Sequence, residues 1–188
     1  MPSTLKVPGT SLKGIISTVK IDQPAPEFGL PDLQGNLHRL SDYRGRITVI
    51  NFWSAECHWV TRVDRELLPA LRAWGERLAL LPVAANASES QALLAAAARE
   101  RGLPFVLRAN PEVLAAYAVQ VTPHLFVVDG DGILRYAGAF DDVSFRQRTP
   151  TRFYLSEAVA ALLSGRLPEP ALTSPYGCAV LRQMPESC

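Results

Sequence analysis

What this sequence has little of narrows it first. Its three cysteines, at positions 57, 178 and 188, are too few and odd in number for a disulfide framework. Such sparse use suits a redox or catalytic thiol, or plain buried thiols. No apolar run approaches the roughly 18–20 residues that a membrane span needs. Charge of one sign is lacking too: 19 basic against 18 acidic side chains leave a net charge of +1. No long-range field therefore draws in nucleic acid or anionic lipid, and no basic-aromatic motif adds a nucleic-acid partner. There is no glycine-rich phosphate loop and no Gly-x-Ser-x-Gly elbow. The three histidines, at 38, 58 and 124, share no ligand spacing with one another or with a cysteine, so neither metal nor cofactor is expected. Residues 1–20 scatter Lys6, Lys13 and Lys20 among small and apolar residues without an unbroken apolar stretch and cleavage site. Read as written, the chain is expected in the cytoplasm.

What is present is enough hydrophobic material, 48% of 188 residues, for one ordinary domain with extra length at its ends. The expected division is an arm over residues 1–20, a domain over 21–166 and a tail over 167–188 that packs on or near the domain. Gln34-Gly35-Asn36 between apolar flanks predicts a small hairpin. Ser41 to Gly45 reads as a capped turn. Ile47 to Trp53 and Leu78 to Ala84 are continuous apolar strands, suited to burial on both faces. A helix is expected from the Ser88-Glu89-Ser90-Gln91 cap to Gly102, another from Pro111 through Tyr117. Phe105 to Leu107 reads as a short strand, and Leu125 to Val128 with Ile133 to Ala139 as a hairpin about Asp129-Gly130-Asp131-Gly132. Phe153 to Leu163 is the last helix, and from Leu167 proline and small residues predict irregular structure. The order gives a mixed α/β sheet with helices on both faces.

The chain is organised around Val49 to Val60, where an apolar strand runs through Ser54-Ala55-Glu56 into Cys57. Beyond it Val63, Leu67, Leu71 and Trp74 recur at helical spacing. Cys57 therefore stands at a helix N-terminus, where free N–H groups and the helix dipole favour a thiolate. His58, when protonated, would add to that, while Glu56 beside the sulfur opposes it. The ordinary alternative for Cys57 is a small buried hydrophobe, and for His58 a solvated residue at a helix start.

Several blocks, in order, resemble the thioredoxin-fold redoxins, the superfamily of thioredoxin-like thiol–disulfide oxidoreductases and alkyl hydroperoxide reductase/thiol-specific antioxidant proteins. Pro24-Ala25-Pro26-Glu27-Phe28 with Leu40-Ser41-Asp42-Tyr43-Arg44-Gly45 is similar to that group's N-terminal hairpin. Asn51 to Cys57 resembles the strand and turn before its redox cysteine, and Val121-Thr122-Pro123-His124 its cis-proline loop. Gly138-Ala139-Phe140-Asp141-Asp142 and Pro175-Tyr176-Gly177-Cys178 resemble blocks of a redoxin subgroup with a long tail. The likeness implies a thioredoxin-like fold: a central mixed β-sheet flanked by helices, with an N-terminal β-hairpin and a C-terminal tail.

The same likeness implies Cys57 as redox nucleophile, with Ser54, His58, Trp59, Thr122 and Pro123 as the substrate-binding surround. Two departures qualify it. The family's Cys-x-x-Cys ends here in Val60, so no local disulfide can close. Peroxiredoxins carry proline seven residues before the reactive cysteine and Thr or Ser three before it; Ser54 fits and Ile50 does not. Asn51 stands where thioredoxins carry a buried acid, and an amide cannot accept the thiol's proton. Cys178 is a candidate for the missing resolving thiol, with a free tail cysteine as the alternative. Cys188 is read as incidental or open to an intermolecular bond.

Three functions remain open at this point. The first is thiol–disulfide exchange through Cys57, resolved by Cys178 or an external thiol. The second is a thiol peroxidase working through a Cys57 sulfenic acid. The third is a redox-silent module that presents Trp59, Pro123 and His124 to a partner. The first two take a protein or small-molecule disulfide, or a peroxide, together with a thiol reductant.

Overall fold

The computed structural model describes residues 19–181. Most of the arm expected over residues 1–20, and Cys188, lie outside the described residues. Strands β1 (Gly29–Pro31) and β2 (Leu37–Arg39) form the predicted hairpin, with Leu30 opposite His38. Asp32 holds its turn by accepting the N–H groups of Gln34 and Asn36.

The main sheet is built outward from β3 (Ile47–Trp53), all seven residues of which are buried. Such a strand has no face to give to water, so it belongs in the middle. It pairs in parallel with β4 (Leu78–Ala84), Ile47 opposite Leu78, and in antiparallel with β7 (His124–Val128), Phe52 opposite His124. β5 (Leu107–Arg108) and β8 (Leu134–Gly138) close the order β5-β4-β3-β7-β8. The strand expected over residues 105–107 begins two residues later and ends one later. Leu107 and Arg108 bond to Val83 and Ala84, whereas the Phe105 ring stacks on His38 at 4.4 Å.

Period-two alternation along β3 divides the core. Ile47 and Val49 meet α1 (His58–Trp74) and α4 (Tyr154–Leu163) through Val63, Leu67, Leu155 and Val159. Ile50 and Phe52 point the other way, onto Phe28, Leu30 and Tyr117, the last at the end of α3 (Pro111–Ala116). α2 (Gln91–Arg101) packs Leu94 and Ala97 against Trp53 and Val60. The helix caps follow their side chains: Ser90 and Asn110 accept the N–H groups of Leu93 and Val113.

The tail departs from the irregular structure expected of it. It first runs along the free edge of β8: Ala137 donates to Ala171 O at 3.0 Å, and Thr173 donates back to Ala137 O at 3.0 Å. The Thr173 hydroxyl accepts the Ala139 N–H at 2.9 Å and lies 2.6 Å from the Tyr136 hydroxyl. Farther on, Cys178–Ala179 becomes a strand, β9, paired antiparallel with β6 (Val121–Thr122). Composition hid this, because a two-residue strand is specified by its partner rather than by its own propensity.

Candidate active site around Cys57

Chain direction puts Cys57 in place. β3 delivers Trp53 fully buried, residues 54–56 turn, and Cys57 is the N-cap of α1, its carbonyl accepting the Val60 N–H at 3.0 Å and the Thr61 N–H at 3.2 Å. The turn is held from the side by α2 and the segment before it. The buried Ser54 hydroxyl donates to the Glu89 carboxylate at 2.5 Å and accepts the Cys57 N–H and the Asn86 amide, both at 3.2 Å. Glu89, only 2% exposed, also accepts the Glu56 N–H at 3.2 Å. From α2, Arg101 donates to Ala55 O at 2.6 Å and to Asp64 at 3.2 Å, with its guanidinium over the Trp53 ring at 4.8 Å.

Cys57 is 2% exposed and is disulfide-bonded to Cys178, with the two Cα atoms 6.0 Å apart. That separation is usual for a disulfide. The Thr122–Pro123 bond is cis, as the likeness implied, and the Thr122 carbonyl oxygen lies 3.2 Å from Cys57 Sγ. An oxidised sulfur carries no proton, so this is a polar contact that becomes a hydrogen bond once Cys57 is a thiol. Thr122 is also the residue opposite Cys178 in the β6–β9 ladder. The cis-proline loop thus aligns both sulfurs. A second cis bond, Glu169–Pro170, lies in the tail.

Around the pair, Trp59 is half-buried and packs edge-on against Tyr176 at 4.9 Å. His58 is exposed, its ring 4.8 Å from Trp59. The His124 ring lies tilted against Phe126, centroids 4.3 Å apart, and burial pushes its pKa down to about 4. Among the described residues no group of three or more His, Cys, Asp or Glu side chains is placed to hold a metal. No helix among them is long and apolar enough to cross a membrane.

Asn51 is fully buried, and neither polar atom of its side chain has a partner among the described residues. The buried acids stand elsewhere. Asp64 on α1 accepts the Trp53 indole N–H at 2.8 Å, and burial raises its pKa, which Trp53 and Arg101 only partly offset. Glu89 is the other. In the sequence Glu89 stands only as part of a helix cap, and nothing singles out Asp64 or Arg101. Asp64 lies seven residues after Cys57, two turns along the same helix, but no short spacing ties Glu89 or Arg101 to Cys57; what joins them is the adjacency of β3 and β4, which brings both following segments to one end of the sheet.

The profile of the AhpC/TSA family matches residues 21–137. The chain is 35% identical over 121 residues to the thiol-disulfide oxidoreductase ResA of Geobacillus kaustophilus, covering 62% of this chain and 67% of that one. It is 28% identical to the thiol:disulfide interchange protein DsbE of Allochromatium vinosum, covering 62% and 65%. Among solved structures, a hypothetical protein from Sinorhizobium meliloti superposes with a TM-score of 0.78 at 26% identity, covering 89% of this chain and 97% of that one. An uncharacterised conserved protein from Geobacillus kaustophilus gives 0.76 at 26% identity, covering 90% and 94%. Both overlaps are too long to stop where the family profile stops, so those neighbours share the region that follows it as well. The chain belongs to the AhpC/TSA family, carried on a thioredoxin-like fold, and it is an oxidoreductase of thiol-based redox chemistry.

Proposed function

We propose that the chain catalyses thiol–disulfide exchange, with Cys57 as the nucleophile and Cys178 as its resolving thiol. The observation that carries this reading is the bond between them, made across the cis-proline loop at the N-terminus of α1. In the reduced chain, the Cys57 thiolate attacks one sulfur of a substrate disulfide. A mixed disulfide forms, and the other substrate sulfur leaves as a thiolate. The Cys178 thiolate then attacks Cys57 Sγ, the substrate's second thiolate leaves, and the Cys57–Cys178 disulfide remains. Two electrons have passed to the substrate, and an external dithiol restores the chain. The helix N-terminus favours the thiolate form of Cys57 for its attack on the substrate.

The peroxidase alternative has less support. Ser54, its one matching position, is fully buried, with its hydroxyl engaged by Glu89, Asn86 and the Cys57 N–H. It has no free capacity for a peroxide oxygen. The redox-silent alternative is disfavoured by the disulfide itself.

The test is reduction of insulin disulfides together with trapping of mixed disulfides by mass spectrometry. Wild type is expected to reduce insulin, Cys57→Ser to lose that activity, and Cys178→Ser to accumulate the mixed disulfide at Cys57. Rapid conversion of Cys57 to a sulfenic acid by peroxide, with no insulin reduction, would replace exchange by the peroxidase reading.

A further inference from the structure

The tail does more than carry a sulfur to Cys57: it lies in the site as an added strand. Over residues 176–181 it makes a continuous run of contacts. Tyr176 packs on Trp59 and closes a recess lined by Arg62, Pro123, Phe140 and Val143. Cys178 sits opposite Thr122 and Ala179 opposite Val121. Val180 donates its N–H to Gln120 O at 2.9 Å and packs its side chain on the core. Leu181 donates to the Asn86 side chain at 2.9 Å and accepts the Ala87 N–H at 3.2 Å. Main-chain bonds of this kind give affinity to any extended segment, and pockets for particular side chains give selectivity.

One position in that run is closed to side chains. A β-carbon on Gly177 would overlap the Thr122 carbonyl oxygen and carbon and stand 3.1 Å from Pro123 Cδ. Thr122 and Pro123 cannot give way, because the same carbonyl faces Cys57 Sγ and the same residue pairs with Cys178. The backbone of Gly177 itself is not in the left-handed region. Its lack of a side chain is therefore demanded by the groove and not by the turn it makes.

We propose that the groove along the edge of β6 admits only those cysteine-bearing strands that place glycine before the reacting cysteine, and that the chain's own tail competes for it. Its preferred pattern is an aromatic residue, then glycine, then the reacting cysteine, then any residue, then an apolar one. The chain's own tail is the occupant that this pattern describes, and it holds the groove when no substrate is present. This rests on the exchange function proposed above and adds its substrate class, a protein disulfide whose accessible cysteine follows glycine. Substrate strand and tail compete for one set of backbone partners, so the tail leaves as the substrate binds and returns as Cys178 resolves the mixed disulfide.

The experiment uses the full chain carrying Cys178→Ser and Cys188→Ser, reduced, so that Cys57 is its one thiol. The probe is an octapeptide of the tail sequence, Ser-Pro-Tyr-Gly-Cys-Ala-Val-Leu, with its cysteine activated as a mixed disulfide with thionitrobenzoate. Cys57 attacks the peptide sulfur, a Cys57–peptide disulfide forms, and the coloured thionitrobenzoate leaves. A second peptide replaces the glycine by alanine, and activated glutathione serves as a probe without a strand. The glycine peptide is expected to release thionitrobenzoate at least about tenfold faster than the alanine peptide, the scale of overpacking a closed site. Adding Gly177→Ala to the same chain is expected to speed the glycine peptide further, because the tail can no longer hold the groove. Equal rates for the two peptides would overturn the selectivity and leave Cys57 chemistry standing. An unchanged rate in the Gly177→Ala chain would overturn the tail as competitor. No release from any probe, glutathione included, would remove the exchange function along with the groove.

Discussion

Replacing Arg101 by methionine is the most informative single perturbation of this structure, because that side chain joins the core to the turn before Cys57. It pairs with Asp64 at 3.2 Å, the two side chains being 12% and 3% exposed. It also satisfies the Ala55 carbonyl at 2.6 Å. Breaking a buried pair by removing one member leaves an uncompensated charge, a loss of about 3–5 kcal/mol. Asp64 keeps only the Trp53 indole N–H, since its second oxygen has no partner among the described residues. Taking the lower end of that range, the midpoint of thermal unfolding should fall by roughly 6–12 °C for a domain of this size.

The loss should also depend on pH, and its sign is fixed. Burial raises the Asp64 pKa and Arg101 opposes the rise, so Arg101→Met raises it further. A carboxyl whose folded pKa is raised binds its proton more tightly when folded. It contributes most stability below the unfolded pKa and loses that contribution as pH rises through the folded value. The deficit of Arg101→Met should therefore be largest at neutral pH and shrink as pH falls toward about 4, the ordinary Asp value. Urea denaturation of the oxidised proteins at both pH values reads this directly, and Asp64→Asn added to Arg101→Met should recover more than half of the loss at neutral pH. A deficit below about 1 kcal/mol, in the range of an exposed pair, would refute the reasoning. So would a deficit equal at both pH values.

Two further outcomes are expected. His124 titrates at about 4 against an ordinary 6.5, so the folded state resists its protonation. The His124 contribution to stability is full above pH 6.5, falls by about 2–3 kcal/mol as pH drops from 6.5 to 4, and levels off below. His124→Phe should flatten that limb of the urea-stability profile, and an unaltered limb would place the acid sensitivity elsewhere. The Cys57–Cys178 bond spans 121 positions, for which loop entropy sets a ceiling of about 5 kcal/mol. Cys178→Ser should lose about 2–4 kcal/mol relative to oxidised wild type, read by urea denaturation, and little relative to reduced wild type. A large deficit against the reduced protein would mean that Cys178 packs importantly as a thiol.

The parts of the fold written locally were legible in the sequence. Ile47 to Trp53 reads as a doubly buried strand because every residue is apolar or small enough for the interior, and Ser90 and Gly102 bracket α2 as their cap chemistry requires. The placement of Cys57 at the start of α1 follows from strand, turn and helical spacing alone. What was not legible depends on two distant segments meeting. Glu89 resembles any acid beside a helix cap until β4 brings it under Ser54. Arg101 resembles any basic residue in a last helical turn until it reaches Ala55. β9 has no propensity signal, and it exists because β6 offers it an edge.

The same distinction bears on why the second cysteine lies so far from the first. Val60 occupies the position where a local partner would stand; it is fully buried and belongs to the cluster holding Trp53, Cys57 and Leu94. A cysteine on the same helix turn would face Cys57 whatever else the chain did. Moving the partner to residue 178 makes bond formation conditional on the tail's ladder with β6, the Tyr176–Trp59 contact and the Asn86 bond to Leu181. Docking and oxidation then stabilise each other as linked equilibria must: whatever weakens tail docking weakens the disulfide, and reduction in turn loosens the tail. Because the tail covers the edge that a substrate strand would use, the proposed groove is closed in the oxidised chain, and in the reduced chain the loosened tail competes with substrate for it. A local Cys-x-x-Cys pair has no such coupling, since closing its bond leaves the cis-proline edge uncovered. Val60 and Cys178 therefore belong to one design: the local bond is given up, and the redox state of Cys57 becomes the state of the groove.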